Sequence, residues 1–214
     1  MFKILYEDNH LIVCYKPKGV LSQADNTEHE DMLSLIKNHL KIKYNKPGNV
    51  YLGLVHRLDI NTSGVMVFAK TSKAASRLSE QISNHQFEKK YLAIVENDLY
   101  GCGTLTDYLI KDEKEKKAYL SPNGKMAILE YQVIKNSILN NQKVSLVDIT
   151  LKTGRFHQIR CQFANFDHPI YGDKKYGSKN INSKDAFPLE AYHLGFFHPI
   201  TKEWLVFEYK TLSL

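Results

Sequence analysis

The sequence predicts an α+β protein built on a mainly antiparallel or mixed β-sheet core with a few flanking helices. Three observations carry that expectation. Short apolar runs and period-two alternation recur along much of the chain, as in strands buried on one or both faces. Three stretches instead place apolar residues at spacings of three and four, the signature of a helix packed by one face. The two kinds of segment do not alternate regularly, which disfavours a doubly wound parallel sheet or a β/α barrel.

Taken in order, residues 3–16 read as two short strands around Asp8-Asn9, closed by the turn Lys16-Pro17-Lys18-Gly19. Over 31–44, Met32, Ile36 and Leu40 recur every four residues beside Leu33, and Asn45-Lys46-Pro47-Gly48 ends that helical stripe. Residues 64–70, apolar up to Lys70, are a buried-strand candidate. Thr71-Ser72 then caps a helix to about Asn84, with Ala75, Leu78 and Ile82 on its apolar side. Lys90 to Glu96 reads as a strand. Ala127, Leu129, Tyr131 and Val133 alternate with Ile128, Glu130 and Gln132, and residues 143–152 return beside them. Residues 155–167 are expected to be helical, with Phe156, Ile159, Phe163 and Phe166 as the stripe. The tail, 191–198 and 204–210, reads as a hairpin. There is no internal repeat and no Pro/Gly/Ser-rich linker, so residues 1–214 are expected to form a single domain.

Composition narrows the class. With 214 residues, 43% hydrophobic and 24% charged, the chain is long enough for a substantial core and is neither disordered nor fibrous in character. No apolar run approaches the roughly 20 residues of a membrane-spanning helix. The opening Met1-Phe2-Lys3-Ile4-Leu5-Tyr6-Glu7-Asp8 has acids where a signal peptide is apolar. Cys14, Cys102 and Cys161 are too widely spaced for a disulfide framework or a cysteine-based zinc site. A cytoplasmic protein is the expectation. The formal charge of +6 suits a polyanionic partner without requiring one. Of the 29 lysines and arginines only four are arginine: Arg57, Arg77, Arg155 and Arg160. Arginine offers a planar fork of donors where lysine is a mobile point charge, so its sparing use marks those positions.

Four segments could carry chemistry. His56-Arg57-Leu58-Asp59-Ile60-Asn61-Thr62-Ser63-Gly64 is a polar loop running straight into the apolar strand. It suits turn formation and also suits a positioned catalytic group. No third ligand near His56 and Asp59 completes a metal site. Gly154-Arg155-Phe156-His157-Gln158-Ile159-Arg160 would, as helix, put His157, Arg160, Cys161 and Ala164 on one face. Arg160 would then sit at the core margin, where it needs an anionic partner. Arg155 in a first helical turn opposes the helix dipole, which hints at an anion as well. Glu88-Lys89-Lys90-Tyr91-Leu92-Ala93 opens a strand with two lysines and a tyrosine. His168-Pro169-Ile170-Tyr171-Gly172-Asp173-Lys174-Lys175-Tyr176-Gly177 interleaves basic and aromatic residues in a turn-rich loop.

His56-Arg57-Leu58-Asp59 with Thr62-Ser63-Gly64, Lys90-Tyr91-Leu92-Ala93, Gly154 to Arg160, and His168-Pro169-Ile170 with Gly172-Asp173 and Tyr176-Gly177 occur in that order. Together they resemble the RluA-type family of RNA pseudouridine synthases, in a catalytic domain without an S4-like domain. Ile4-Leu5-Tyr6-Glu7-Asp8 with Lys16-Pro17-Lys18-Gly19, and His193-Leu194 to His198-Pro199, extend the likeness to about residues 3–210. Phe156 departs from it, standing where the family usually has threonine.

The resemblance implies the pseudouridine synthase catalytic fold and an isomerase that cleaves the N1–C1′ bond of uridine, turns the base and rejoins it through C5. It implies Asp59 as catalytic aspartate, as nucleophile or as a stabiliser of charge at the sugar. Arg160 matches the arginine that pairs with that aspartate, and Tyr91 the tyrosine that packs on the base. Arg57 matches the residue filling the gap left by a flipped nucleotide. His56, Arg155, His157 and Lys90 complete the implied substrate-binding set. Lys89, Lys90, Lys174 and Lys175 are candidates for phosphate contact. The expectation is a monomer acting on ribosomal or transfer RNA, with no metal, organic cofactor, membrane or obligate protein partner. An idle RNA-binding module would not need Asp59, Tyr91 and Arg160 together. A hydrolase built on His56 or His157 lacks an assembled nucleophile and base.

Overall fold

The computed structural model describes residues 2–25, 27–180 and 187–214. Its strands are β1 (Lys3–Glu7), β2 (Leu11–Lys16), β3 (Gly53–Leu54), β4 (Ser63–Ala69), β5 (Glu88–Glu96), β6 (Cys102–Asp112), β7 (Lys117–Leu120), β8 (Lys125–Leu139), β9 (Gln142–Leu151), β10 (Leu189–Phe197) and β11 (Trp204–Glu208). The helices are α1 (Met32–Lys43), α2 (Ser72–Ser83) and α3 (Gln158–Asn165). The chain divides into two compact units: Met1–Phe87 with His193–Tyr209, and Glu88–Tyr192 with Lys210–Leu214.

In the first unit β2 pairs with β1 and β4, β3 adds to β4, and β10 pairs with β11, all antiparallel. Every residue of β4 is buried, as its unbroken apolar run requires. Asp31 caps α1 by accepting the Ser34 N–H at 3.0 Å, and Met32, Ile36 and Leu40 are the buried stripe. Thr71 caps α2 through the Ala74 N–H at 3.2 Å. The deepest α2 residues are Ala74, Leu78 and Gln81, so the stripe centres one residue before Ala75 and Ile82. Gln81 earns its burial by exchanging two hydrogen bonds, both 2.9 Å, with the Phe197 backbone. Val13, Val67, Leu78, Phe87 and Phe196 lie in one core. His198 locks the turn after β10: its Nδ1 accepts the Thr201 N–H at 2.9 Å and its Nε2 donates to Asp8 at 2.8 Å.

In the second unit β9 lies between β5 and β8, β8 also pairs with β6, and β6 with β7, again antiparallel. One core gathers Leu92, Ile94, Val144, Leu146, Tyr171 and Tyr192; another sets Cys161 of α3 and Tyr176 against Leu109, Ala118 and Ala127.

Besides the shifted α2 stripe, the structure departs from the sequence expectation in three features. The first is that only Ile159 and Phe163 of the expected third-helix stripe are buried, while Phe166 is 38% exposed. β6 and β7 do not read as strands in the sequence because only Leu109 and Ala118 of the two are fully buried, which leaves a weak apolar pattern. The third helix starts at Gln158 rather than 155. His157, its N-cap, is left-handed at φ 49°. Arg155 and Phe156 therefore precede the helix, and the dipole argument for Arg155 lapses. Among the described residues no helix is long and apolar enough to cross a membrane.

Candidate active site

Asp59 sits half-buried on the turn that feeds β4, and its neighbours are held from several sides. Its own carbonyl accepts the Thr62 N–H at 3.0 Å. The Ser22 hydroxyl takes both backbone groups of Leu58, donating to the carbonyl at 2.8 Å and accepting the N–H at 3.0 Å. The Ile60 carbonyl accepts from the Gly19 N–H at 2.9 Å and from Lys16 Nζ at 3.1 Å. Gly64, at φ 146°, opens β4 in a backbone setting that a Cβ disfavours.

Lys16 is the surprise of this loop. It has no exposed surface, and its ammonium spends its three protons on the carbonyls of Val20 (2.7 Å), Pro17 and Ile60 (both 3.1 Å). Burial pushes its pKa down to about 7 against the raising field of Asp59. One buried cation thus ties the Lys16–Val20 turn to the Asp59 loop. Lys16→Met keeps the volume and orphans three carbonyls. At about 1–3 kcal/mol per unmade buried bond, partly offset by relief of the buried charge, we expect a net loss of roughly 3 kcal/mol and a thermal midpoint lower by about 6–12 °C. The pH dependence has a definite sign. Between pH 7 and 10.5 the unfolded chain holds a proton that the folded lysine has released, so stability rises with pH across that window. Thermal melts at stepped pH check this: the rise should be smaller in Lys16→Met.

Arg57, beside Asp59, is exposed and makes no hydrogen bond or ion pair among the described residues. His56 is committed to the fold, with Nε2 accepting the Val67 N–H at 3.0 Å and its ring edge-on to Phe87.

In the second unit the entry to α3 is equally constrained. Gln158 accepts from the Arg155 N–H (3.0 Å) and the Thr153 hydroxyl (2.8 Å), and donates to the Ile128 carbonyl (3.1 Å) and Gln162 (3.0 Å). Arg155 Nε donates to the Met126 carbonyl at 2.9 Å. Arg160, 7% exposed, sends Nε and Nη2 to the two oxygens of Asp173 at 2.7 and 2.9 Å. Its Nη1 lies 2.9 Å from His157 Nε2, and the Tyr176 and Phe187 rings lie 4.9 and 4.5 Å from its carbon centre.

The guanidinium can only donate, so His157 Nε2 is the acceptor and its proton sits on Nδ1, 2.9 Å from the Tyr176 hydroxyl. Burial first, then the Arg160 charge, push the His157 pKa down to about 2, and the ring stays neutral. Phe156 stacks on that ring at 3.8 Å. Tyr91, 8% exposed, stands near the start of the β5–β9 pairing, opposite Ile149 and next to the Lys90–Thr150 pair. Lys90 ion-pairs with Glu88 at 3.0 Å.

The structure therefore gathers Arg155, His157 and Arg160 at the start of α3, and His56, Arg57 and Asp59 on the loop before β4. Sequence reasoning missed Lys16, Ser22, Asp173 and Tyr176 as supporting residues. All but Ser22 lay inside quoted motifs, and the isolated demand of Arg160 for an anion was the available signal for Asp173. Among the described residues no cluster of three or more His, Cys, Asp or Glu could hold a metal ion.

Comparison with known proteins gives a consistent picture. Residues 10–165 match the family model described as RNA pseudouridylate synthase. An uncharacterized RNA pseudouridine synthase of Aquifex aeolicus is 34% identical, over 96% of this chain and 68% of its own length. The ribosomal large subunit pseudouridine synthase D of Zymomonas mobilis is also 34% identical, over 96% and 68%. The chain thus spans about two thirds of those relatives. Human RNA pseudouridylate synthase domain containing 4 superimposes with a TM-score of 0.76 at 25% identity, covering 97% of this chain and 88% of that one. Human RNA pseudouridylate synthase domain containing 1, at 20% identity and a TM-score of 0.77, shares the fold.

Proposed function

This chain belongs to the RNA pseudouridylate synthase family, and from that premise we propose that Asp59 is the carboxylate that breaks and remakes the glycosidic bond in ribosomal RNA. The carrying observation is the clamped turn. A half-buried carboxylate whose flanking backbone is held by Ser22, Gly19 and Lys16 meets the need for a fixed reacting group. Uracil detached from C1′ must turn and return its C5 to the same carbon, so the groups around it have to stay in place while the base moves. In this reading Tyr91 packs on the base and Arg160 is a fixed cation for the reaction. Arg57, unengaged and exposed, enters the stack that the target uridine leaves. The family match runs through parts of both units, which supports reading residues 1–214 as one catalytic domain. The ribosomal substrate is supported by the names of relatives, including the Zymomonas mobilis protein. Pseudouridine mapping of ribosomal and transfer RNA, from cells with and without the protein, tests it. Loss of signal from large-subunit ribosomal RNA is expected; loss confined to transfer RNA overturns the substrate assignment, and no loss overturns the activity as read.

A further inference from the structure

Among the described residues, two lysines withdrawn from water are matched to acceptors. Lys16 is matched to three carbonyls and Lys70 ion-pairs with Glu7 at 2.8 Å. Of the four lysines suited to phosphate contact, Lys174 and Lys175 are exposed, with Lys175 Nζ on the Lys116 carbonyl at 2.9 Å, and Lys90 is paired with Glu88. Lys89 is different. It is partly buried, and its ammonium has neither a hydrogen bond nor an ion pair among the described residues. Desolvation alone pushes its pKa below 10.5, with no carboxylate to oppose it.

Two further facts place that ammonium. A Cβ built on Gly154 meets one atom within 4 Å, Lys89 Nζ at 3.3 Å, so the cation lies against the turn leading to α3 and any side chain there would have to displace it slightly. Lys89 and Tyr91 are two apart on β5 and share a strand face. An uncompensated, partly desolvated cation calls for a partner that brings negative charge. Uracil and ribose are neutral; the phosphodiester is the formal charge that RNA offers.

We propose that the Lys89 ammonium, seated against Gly154 on the face of β5 that carries Tyr91, is the binding site for one phosphodiester group of the substrate RNA. The proposal rests on the RNA-modifying function above, and its test reads binding separately from chemistry. The dissociation constant of a uridine-loop RNA hairpin is measured against potassium chloride for the full chain, Lys89→Met, Lys89→Arg and Gly154→Ala. Lys89→Met should weaken binding about 3- to 10-fold and lower the slope of log K against log salt by about 0.7–0.9, the value of one phosphate. Lys89→Arg should keep the slope.

Gly154→Ala, which pushes a methyl against Nζ, should lose part of the same slope and add nothing in combination with Lys89→Met. On the RNA identified by mapping, the loss should fall on KM rather than kcat. The thermal midpoint of Lys89→Met should not drop, because an unpaired cation is being removed. An unchanged salt slope, additive Lys89 and Gly154 effects, a lowered midpoint, or a defect in kcat alone each overturns the site; the last would mean that Lys89 meets charge developing on the base. If the protein forms no pseudouridine, the functional reading fails while the salt slopes still decide whether Lys89 holds a phosphate.

Discussion

Asp59→Asn should abolish pseudouridine formation, lowering the single-turnover rate by about 10⁴-fold or more, while RNA affinity changes little. The substitution conserves size, and the contacts that hold the turn are backbone contacts of Leu58, Asp59 and Ile60, so the loop geometry survives it. What disappears is the charge and nucleophilicity of the carboxylate. Affinity rests mainly on phosphates and should even gain slightly from the loss of one negative charge. The measurement is pseudouridine yield from saturated enzyme, with affinity and thermal midpoint recorded on the same preparation. Turnover above background by a folded Asp59→Asn protein would remove Asp59 from the chemistry.

The second large effect is expected at Arg160. If the position needed only a positive charge, Arg160→Lys would be nearly harmless. The geometry says otherwise. Three faces of the guanidinium fork are occupied, two by Asp173 and one by His157, and two aromatic rings flank its plane. A lysine has one nitrogen and no plane. It would leave Asp173, 2% exposed, with at most part of its pairing, and breaking a buried pair costs about 3–5 kcal/mol.

We expect Arg160→Lys to lose about 10²- to 10³-fold in single-turnover rate together with thermal stability. Asp173→Asn should reproduce most of that loss, because an amide N–H would face guanidinium N–H. The double variant should lose far less than the product of the single effects. Arg57→Lys is the contrast. Exposed and unengaged, Arg57 should matter for extruding a stacked uridine, so its defect should shrink on RNA whose target uridine is already unstacked. The Arg160 defect should persist there. Equal shrinkage of both defects, or harmless Arg160→Lys, would undo these roles.

The sequence by itself determined the elements whose burial is local and periodic. β1 and β2, α1, β4, α2 behind Thr71, the β8–β9 pair and the closing hairpin follow from spacing and turn residues. Each buries one face, or both, along a continuous stretch of chain. The four ordered motifs named the candidate residues for the same reason: motif spacing is written along the chain.

Tertiary structure alone decided the rest. Residues 155–157 continue an apolar spacing that reads as helix, yet Gln158 draws Thr153 and the Arg155 N–H onto its side chain, and the left-handed His157 sets the start of α3. Lys16 in a Lys-Pro-Lys-Gly turn reads as solvated, and only the convergence of the Val20, Pro17 and Ile60 carbonyls makes its burial tolerable. Asp173, thirteen residues from Arg160, is its partner because the turn after His168-Pro169 brings it back to α3. Periodicity records which face is dry. The partner of a buried charge, and with it the charge's pKa, depends on distances across the fold that no local spacing encodes.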